Sequence, residues 1–264
     1  TSSNLGAAYG IAVSATMIIT TVLVLFVARS VWKTPLWLLI AMGLAFLSID
    51  AAFFGSNILK IRSGGWIVLF MAFFIYLFMK TWLDGRKILR EKIIERSIDI
   101  GQFVQSIQQN PPQRVSRTAV FLAGNPQGVP GALLHNLKHN EVLHNHTVIL
   151  CVKTEEIPFV EAENRLIVDY LGAGIYRITA TYGFSETPDI PALLDGMQFS
   201  ELRFDPMKTT FFLGRELLVI GDNRTMRIWR KKIFLFMSHN SLNATTFFRL
   251  PPNRIVELGT QIEL

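Results

Sequence analysis

Cysteine is all but missing: the 264-residue chain has one, Cys151. No disulfide can form within it, which excludes a disulfide-stapled secreted scaffold and fits a reducing compartment. Cys151 sits in the apolar run 147–152 and reads as a small buried hydrophobe. Acidic residues are nearly missing from the first third. Before Asp84, Asp50 stands alone against Arg29, Lys33, Lys60, Arg62 and Lys80. The rest of the chain is close to charge balance, so the net +6 and the pI near 9.6 do not describe a concentrated basic surface. That speaks against a nucleic-acid partner. Catalytic signatures are lacking too: there is no Ser/His/Asp arrangement, no phosphate-loop lysine and no His-Glu-x-x-His. Gly172-Ala-Gly174 is followed by a strand pattern, where a dinucleotide loop needs a helix. Nothing points to an enzyme, and no cofactor is called for.

Apolar sequence, by contrast, is abundant at the start. Three long runs cover 5–28, 35–59 and 65–83. Each is long enough to cross a hydrocarbon core of about 30 Å as a helix, and a backbone in lipid satisfies its own polar groups only as helix or closed barrel. The short connections 29–34 and 60–64 predict tight hairpins, with the three spans packed as neighbours. The first run lacks the basic leader and cleavage pattern of a signal peptide. The chain opens Thr-Ser-Ser-Asn without Met, and the expectation is a C-terminal piece of a longer membrane protein whose upstream helices are missing. Lys80, Arg86, Lys87, Arg90, Lys92 and Arg96 crowd the exit of the third span, which places that exit, and everything after it, in the cytosol.

Beyond the spans the period changes. A helix over 82–110 is predicted to leave the membrane, with 84–112 as linker and Pro111-Pro112 as its stop. The region 113–264 reads as one cytosolic α/β domain with a mixed sheet, of ordinary single-domain size. Strands are expected at 118–123 and 147–153 around a helix at 130–140, as one parallel crossover. A hairpin is expected at 164–171 and 175–182, a short helix at 190–199, and two short strands at 209–213 and 216–220 turning at Gly214-Arg215. A helix follows at 223–242 and a late strand at 254–258.

Four groups of residues invite a chemical reading. Gly6 and Gly10 form a Gly-x-x-x-Gly pair, continued by Ser14, that lets helix backbones approach closely. On another face Tyr9, Thr16 and Thr20 form a hydroxyl stripe with Val13 between them. Such oxygens can replace the water shell of a monovalent cation, although a threonine hydroxyl in a helix also bonds back to the carbonyl four residues earlier. Asp50 lies deep in the second span, where an unpaired carboxylate costs about 2.5–3.5 kcal/mol. It reads as a cation- or proton-responsive group, or as a structural acid held by Ser48, Ser56 or Asn57. His135, His139, His144 and His146 lack a metal-ligand arrangement. Arg224, Arg227, Arg230, Lys231 and Lys232 form a basic run suited to phosphate or lipid headgroups, or simply to a solvated face.

Several strings resemble the KUP/HAK/KT potassium uptake family. Ser3-Asn-Leu-Gly-Ala-Ala-Tyr-Gly-Ile-Ala-Val13 is similar to that family's tenth transmembrane helix, and Gly64-Gly-Trp66 to the opening of its twelfth. Thr118-Ala-Val-Phe-Leu122, His135-Asn-Leu-Lys-His-Asn140 with Val142-Leu-His144, and Pro251-Pro-Asn-Arg-Ile-Val-Glu-Leu-Gly-Thr-Gln-Ile-Glu263 resemble its C-terminal domain. The resemblance implies an α-helical membrane protein with a LeuT-like core, of which this chain carries the last three helices and the cytosolic domain. It implies K⁺ uptake across the plasma membrane coupled to H⁺. Tyr9 matches the family's K⁺-binding tyrosine, with Thr16 a weaker candidate. The family's core carboxylates lie on earlier helices, so Asp50 falls outside them. The expected partners are K⁺ and H⁺, the bilayer, the missing helices, a second copy as homodimer, and a cyclic dinucleotide on the cytosolic domain. The chain departs from the family pattern at Ser116-Arg117 and Asn145-His146. A membrane-anchored cytosolic sensor without transport activity is the alternative reading.

Overall fold

A computed structural model describes residues 2–195, 197–199, 202–221 and 225–264. Two compact units divide the chain, Thr1–Lys80 and Thr81–Leu264.

The first unit is helical. α1 (Ser2–Ser30) and α2 (Leu36–Ile58) form a packed hairpin, and α3 (Trp66–Glu95) follows a single 3-10 turn at Ile61–Ser63. All three are long and apolar enough to cross a membrane. Two glycines mark close points of the hairpin. A Cβ on Gly43 would stand 3.3 Å from Leu25 Cδ1, and one on Gly10 would stand 2.6 Å from Asn57 Oδ1. Gly6 meets nothing, so the small-residue face is used at Gly10 and not along its whole length. Ser14 is buried and donates to the Gly10 carbonyl at 2.6 Å. The turn into α3 requires glycine: Gly64 has φ +132°, and a Cβ there would lie 2.6 Å from the Asn4 carbonyl oxygen. The expected packing of three neighbouring spans is not found. Between Trp66 and Lys80 no residue of α3 is buried. Its apolar wall is left to lipid or to other helices.

The second unit begins inside α3. A helix unbroken from 82 to 110 was expected; instead α3 ends at Glu95 and α4 (Ile100–Gln109) starts afresh. Asp99 takes extended backbone geometry and caps α4, accepting from the N–H groups of Gly101 at 2.9 Å and Gln102 at 3.1 Å. Two orphan donors are thereby satisfied, which fixes the break. Nor is α4 a linker. Ile100, Phe103, Val104 and Ile107 recur at helical spacing and are all buried in the core of the sheet domain.

Six strands form the main sheet, in the order β3-β4-β2-β1-β7-β8. β1 (Gln113–Ala123), β2 (Val142–Glu155), β4 (Ile175–Gly183), β7 (Thr209–Val219) and β8 (Ile255–Glu263) pair in parallel; β3 (Leu166–Gly172) runs antiparallel at one edge. α5 (Gly131–Asn140) makes the crossover from β1 to β2. Residues alternate across β1: Ala119 and Phe121 pack under α4 and α5, while Val120 joins the opposite layer with Ile190 and Leu194 of α6 (Ile190–Leu194). α6 stops early, and β5 (Gln198–Phe199) pairs with β6 (Leu202–Arg203) in a separate ribbon. The hairpin turns where expected, with Gly172, Ala173 and Gly174 all at positive φ. The predicted turn at Gly214-Arg215 does not exist: β7 runs straight through. β7 pairs with β1 only up to Phe212, then continues beside β8, where Gly214 faces Leu258 and Arg215 faces Gly259. Near Leu218 and Ile262 a third core forms with Leu89 of α3 and Phe234 of α7 (Ile228–His239). α8 (Ala244–Phe247) is a single turn before β8. α7 is shorter than expected, and residues 223–224 of that expectation lie outside the described residues.

Candidate functional site

The helical unit carries a groove. Tyr9, Ala12, Val13, Thr16, Met17, Thr20 and Thr21 of α1 line it with Asp50 of α2, around a volume of about 460 Å³. Helical geometry explains the α1 set: positions three, four and seven apart share a face. Three of the candidates read from sequence, Tyr9, Thr16 and Asp50, are thus brought together. Asp50 is 5% exposed, and its Oδ2 accepts a hydrogen bond from Thr21 Oγ1 at 2.6 Å. Ser48, Ser56 and Asn57, the partners expected for Asp50, bond instead to carbonyls of their own helix. Thr16 donates to the Ala12 carbonyl at 2.8 Å, the ordinary back-bond of a helical threonine. That bond uses the hydroxyl proton and leaves oxygen lone pairs directed away from the helix. Tyr9 is 71% exposed at the groove's rim. A hydroxyl wall facing one buried carboxylate can hold a cation, provided further oxygens come from outside the hairpin.

The basic run of the second unit is not one surface. Arg224 lies outside the described residues. Arg230 donates to Asp84 Oδ2 at 2.8 Å and to Thr81 Oγ1 at 3.1 Å. Lys231 is 1% exposed, and its Nζ donates to the main-chain oxygens of Gly221 at 2.8 Å and Leu264 at 2.6 Å. Among the described residues of the run, only Arg227 and Lys232 are fully exposed. The expected contact with phosphate or lipid headgroups is therefore corrected for Arg230 and Lys231, which turn inward; a lysine at that depth is tolerated because main-chain oxygens take the place of its water.

Elsewhere in this unit, His135 and His139 stack at 5.8 Å, and His135 Nε2 lies 3.5 Å from Thr260 Oγ1. Burial lowers the His144 pKa, helped by the positive charge of Arg117. Burial raises that of the Cys151 thiol. Glu186 is held below the usual carboxylate range, first by the Gly183 N–H at 2.7 Å, then by the Val160 N–H and Arg165.

Comparison with known proteins decides the family. Residues 1–87 match the K⁺ potassium transporter integral membrane domain, and residues 116–264 match the K⁺ potassium transporter C-terminal domain. The chain belongs to the K⁺ potassium transporter family. It is similar to a probable potassium transport system protein Kup 2 of Chromobacterium violaceum, 47% identical over all of this chain and 42% of that protein. A probable potassium transport system protein Kup 1 of Paramagnetospirillum magneticum is likewise 47% identical, over all of this chain and 41% of its own length. A probable potassium transport system protein Kup of Myxococcus xanthus is 46% identical, over all of this chain and 40% of its own length. The chain thus spans about two fifths of the relatives it matches. No solved structure matches.

Set on the two domains of this potassium transporter family, the groove lies wholly in the integral membrane part and α7 wholly in the C-terminal part. Thr21 is the polar groove residue that sequence reading missed. It sits one position beyond the hydroxyl stripe, and its role depends on Asp50, 29 residues away. The available signal was that a buried acid in a helical hairpin needs a donor from the facing helix.

Proposed function

We propose that this chain takes part in K⁺ uptake across the plasma membrane, by K⁺/H⁺ symport, within a LeuT-like arrangement completed by further helices of the same protein. The observation that carries the reading is the groove in which Tyr9, Thr16 and Asp50 converge. An alkali ion leaving water needs several oxygens. The α1 face offers the Tyr9, Thr16 and Thr20 hydroxyls beside one carboxylate, and the groove is open on the flank where additional helices would supply the rest. In this reading Tyr9 and Thr16 are K⁺ ligands and Asp50 is an intramembrane acid that balances the cation's charge. The third span exits to the cytosol, where the α/β domain works as a regulatory unit that forms a homodimer and takes a cyclic dinucleotide. The match of residues 1–87 to a transporter membrane domain does not favour an anchor-only role for the helices.

Tyr9→Phe in the whole transporter, expressed in cells lacking other K⁺ importers, tests the assignment. Rubidium influx should fall severalfold at unchanged protein level. Influx kinetics equal to the parent's would remove Tyr9 from the ion path.

A further inference from the structure

α7 is amphipathic in the wrong sense for a helix bathed in water. Its inward face holds Lys231 and Phe234, both fully buried. Its outward face carries Ile228, Trp229 and Phe236, which are 64%, 45% and 68% exposed. At about 100° per residue those three, with Lys232 between them, fall within one arc of roughly 100°. Arg227 at the helix start and Lys232 are the exposed cations beside them. A solvated face has no need of three large apolar side chains in register, so this face is built for a covering partner.

What covers it follows from where α7 is fastened. Arg230 binds Thr81 and Asp84. Phe234 packs on Trp82 with ring centroids 5.5 Å apart and fills the space over Gly85, where any Cβ would collide with its ring. Residues 81–85 form the helical turn in which the apolar run of α3 ends, with the charges Lys80, Asp84, Arg86 and Lys87 in and around it. That turn stands at the boundary between hydrocarbon and headgroups. A helix locked to it is held at the same level. We propose that α7 is an interfacial helix: Ile228, Trp229 and Phe236 enter the headgroup–acyl boundary, and Arg227 and Lys232 contact anionic headgroups. The chemistry fits on both counts, since interfacial helices combine tryptophan and large apolar residues with flanking cations. This inference rests on the membrane placement of α3 and not on K⁺ transport, so the two fail separately.

The test uses the whole chain with Cys151 replaced by Ala, and a nitroxide on a single cysteine at Phe236→Cys. Met207→Cys, on the exposed turn before β7, is the reference. The protein is reconstituted in vesicles of phosphatidylcholine with phosphatidylglycerol, and in phosphatidylcholine alone. The expected result is a ratio of oxygen to nickel-chelate collision rates severalfold higher at 236 than at 207. Arg227→Glu with Lys232→Glu should lower that ratio in the phosphatidylglycerol vesicles and leave it little changed in phosphatidylcholine alone. A label at 236 as open to the chelate as that at 207 would overturn the proposal. So would a label closed to both reagents, which would mean that protein covers the face. Insensitivity of the charge-reversed pair to phosphatidylglycerol would refute the headgroup contact.

Discussion

Asp50 shows how a single hydrogen bond separates structure from function. Asn at this position keeps an oxygen for Thr21 to donate to, while the charge is lost. Asp50→Asn should therefore leave protein level unchanged and lower rubidium influx. Thr21→Val, which removes the donor from a buried carboxylate, should cost about 1–3 kcal/mol of stability, read as lower yield and an earlier thermal transition in detergent. Glu186 offers a pH-dependent counterpart in the second unit. Its folded pKa is depressed by backbone N–H donors and Arg165. The stabilisation it brings is present above the unfolded carboxylate pKa and is lost as pH falls through the lower folded value. Glu186→Gln should destabilise the protein at neutral pH, and the gap to the parent should close in acid, as thermal unfolding against pH will show. His144 acts with the same sign: its lowered pKa makes acid unfavourable to the fold, beginning near the unfolded histidine value.

The elements of this chain were legible to different degrees, and the differences have physical causes. The three apolar helices, the β1–α5–β2 crossover and the β3–β4 turn follow from local pattern: long apolar runs, a proline at the helix start, glycines at positive φ. The break before α4 was also written locally, in Asp99, but the apolar period continues across it and masks the cap. β7 was misread because Gly214-Arg215 looks like a turn, whereas pairing with β8 keeps the strand extended. In the sequence around α7, Arg227, Arg230, Lys231 and Lys232 read as part of one basic run. Neighbours distant in the chain, among them Thr81, Asp84, Gly221 and Leu264, draw Arg230 and Lys231 inward. Lys231→Met should remove a donor from the Gly221 and Leu264 main-chain oxygens, of which the Leu264 oxygen still accepts from the Gly221 N–H. The expected loss is about 1–3 kcal/mol, measured as a lowered unfolding midpoint.

At the scale of the whole molecule, α4 belongs to the α/β unit rather than to a connector. A fragment covering 81–264 should fold and resist protease. One covering 113–264 loses Ile100, Phe103, Val104 and Ile107 from the core. At about 1.5–3 kcal/mol for each buried side chain, that deficit approaches the full stability of an ordinary domain, so the shorter fragment should be digested rapidly. The sequence by itself determined what depends on near neighbours along the chain: which stretches are apolar enough to span a membrane, which alternate as strands, where glycine must turn the backbone. It also placed Tyr9, Thr16 and Asp50 among the residues to watch. Only the tertiary structure decided what depends on residues far apart: the Thr21 hydroxyl on Asp50, β7 beside β1, the burial of Lys231, and the apolar exterior of α7. Periodicity is a property of a few successive residues. A hydrogen bond between two helices, or the depth of a lysine, is set by a partner that no local pattern names.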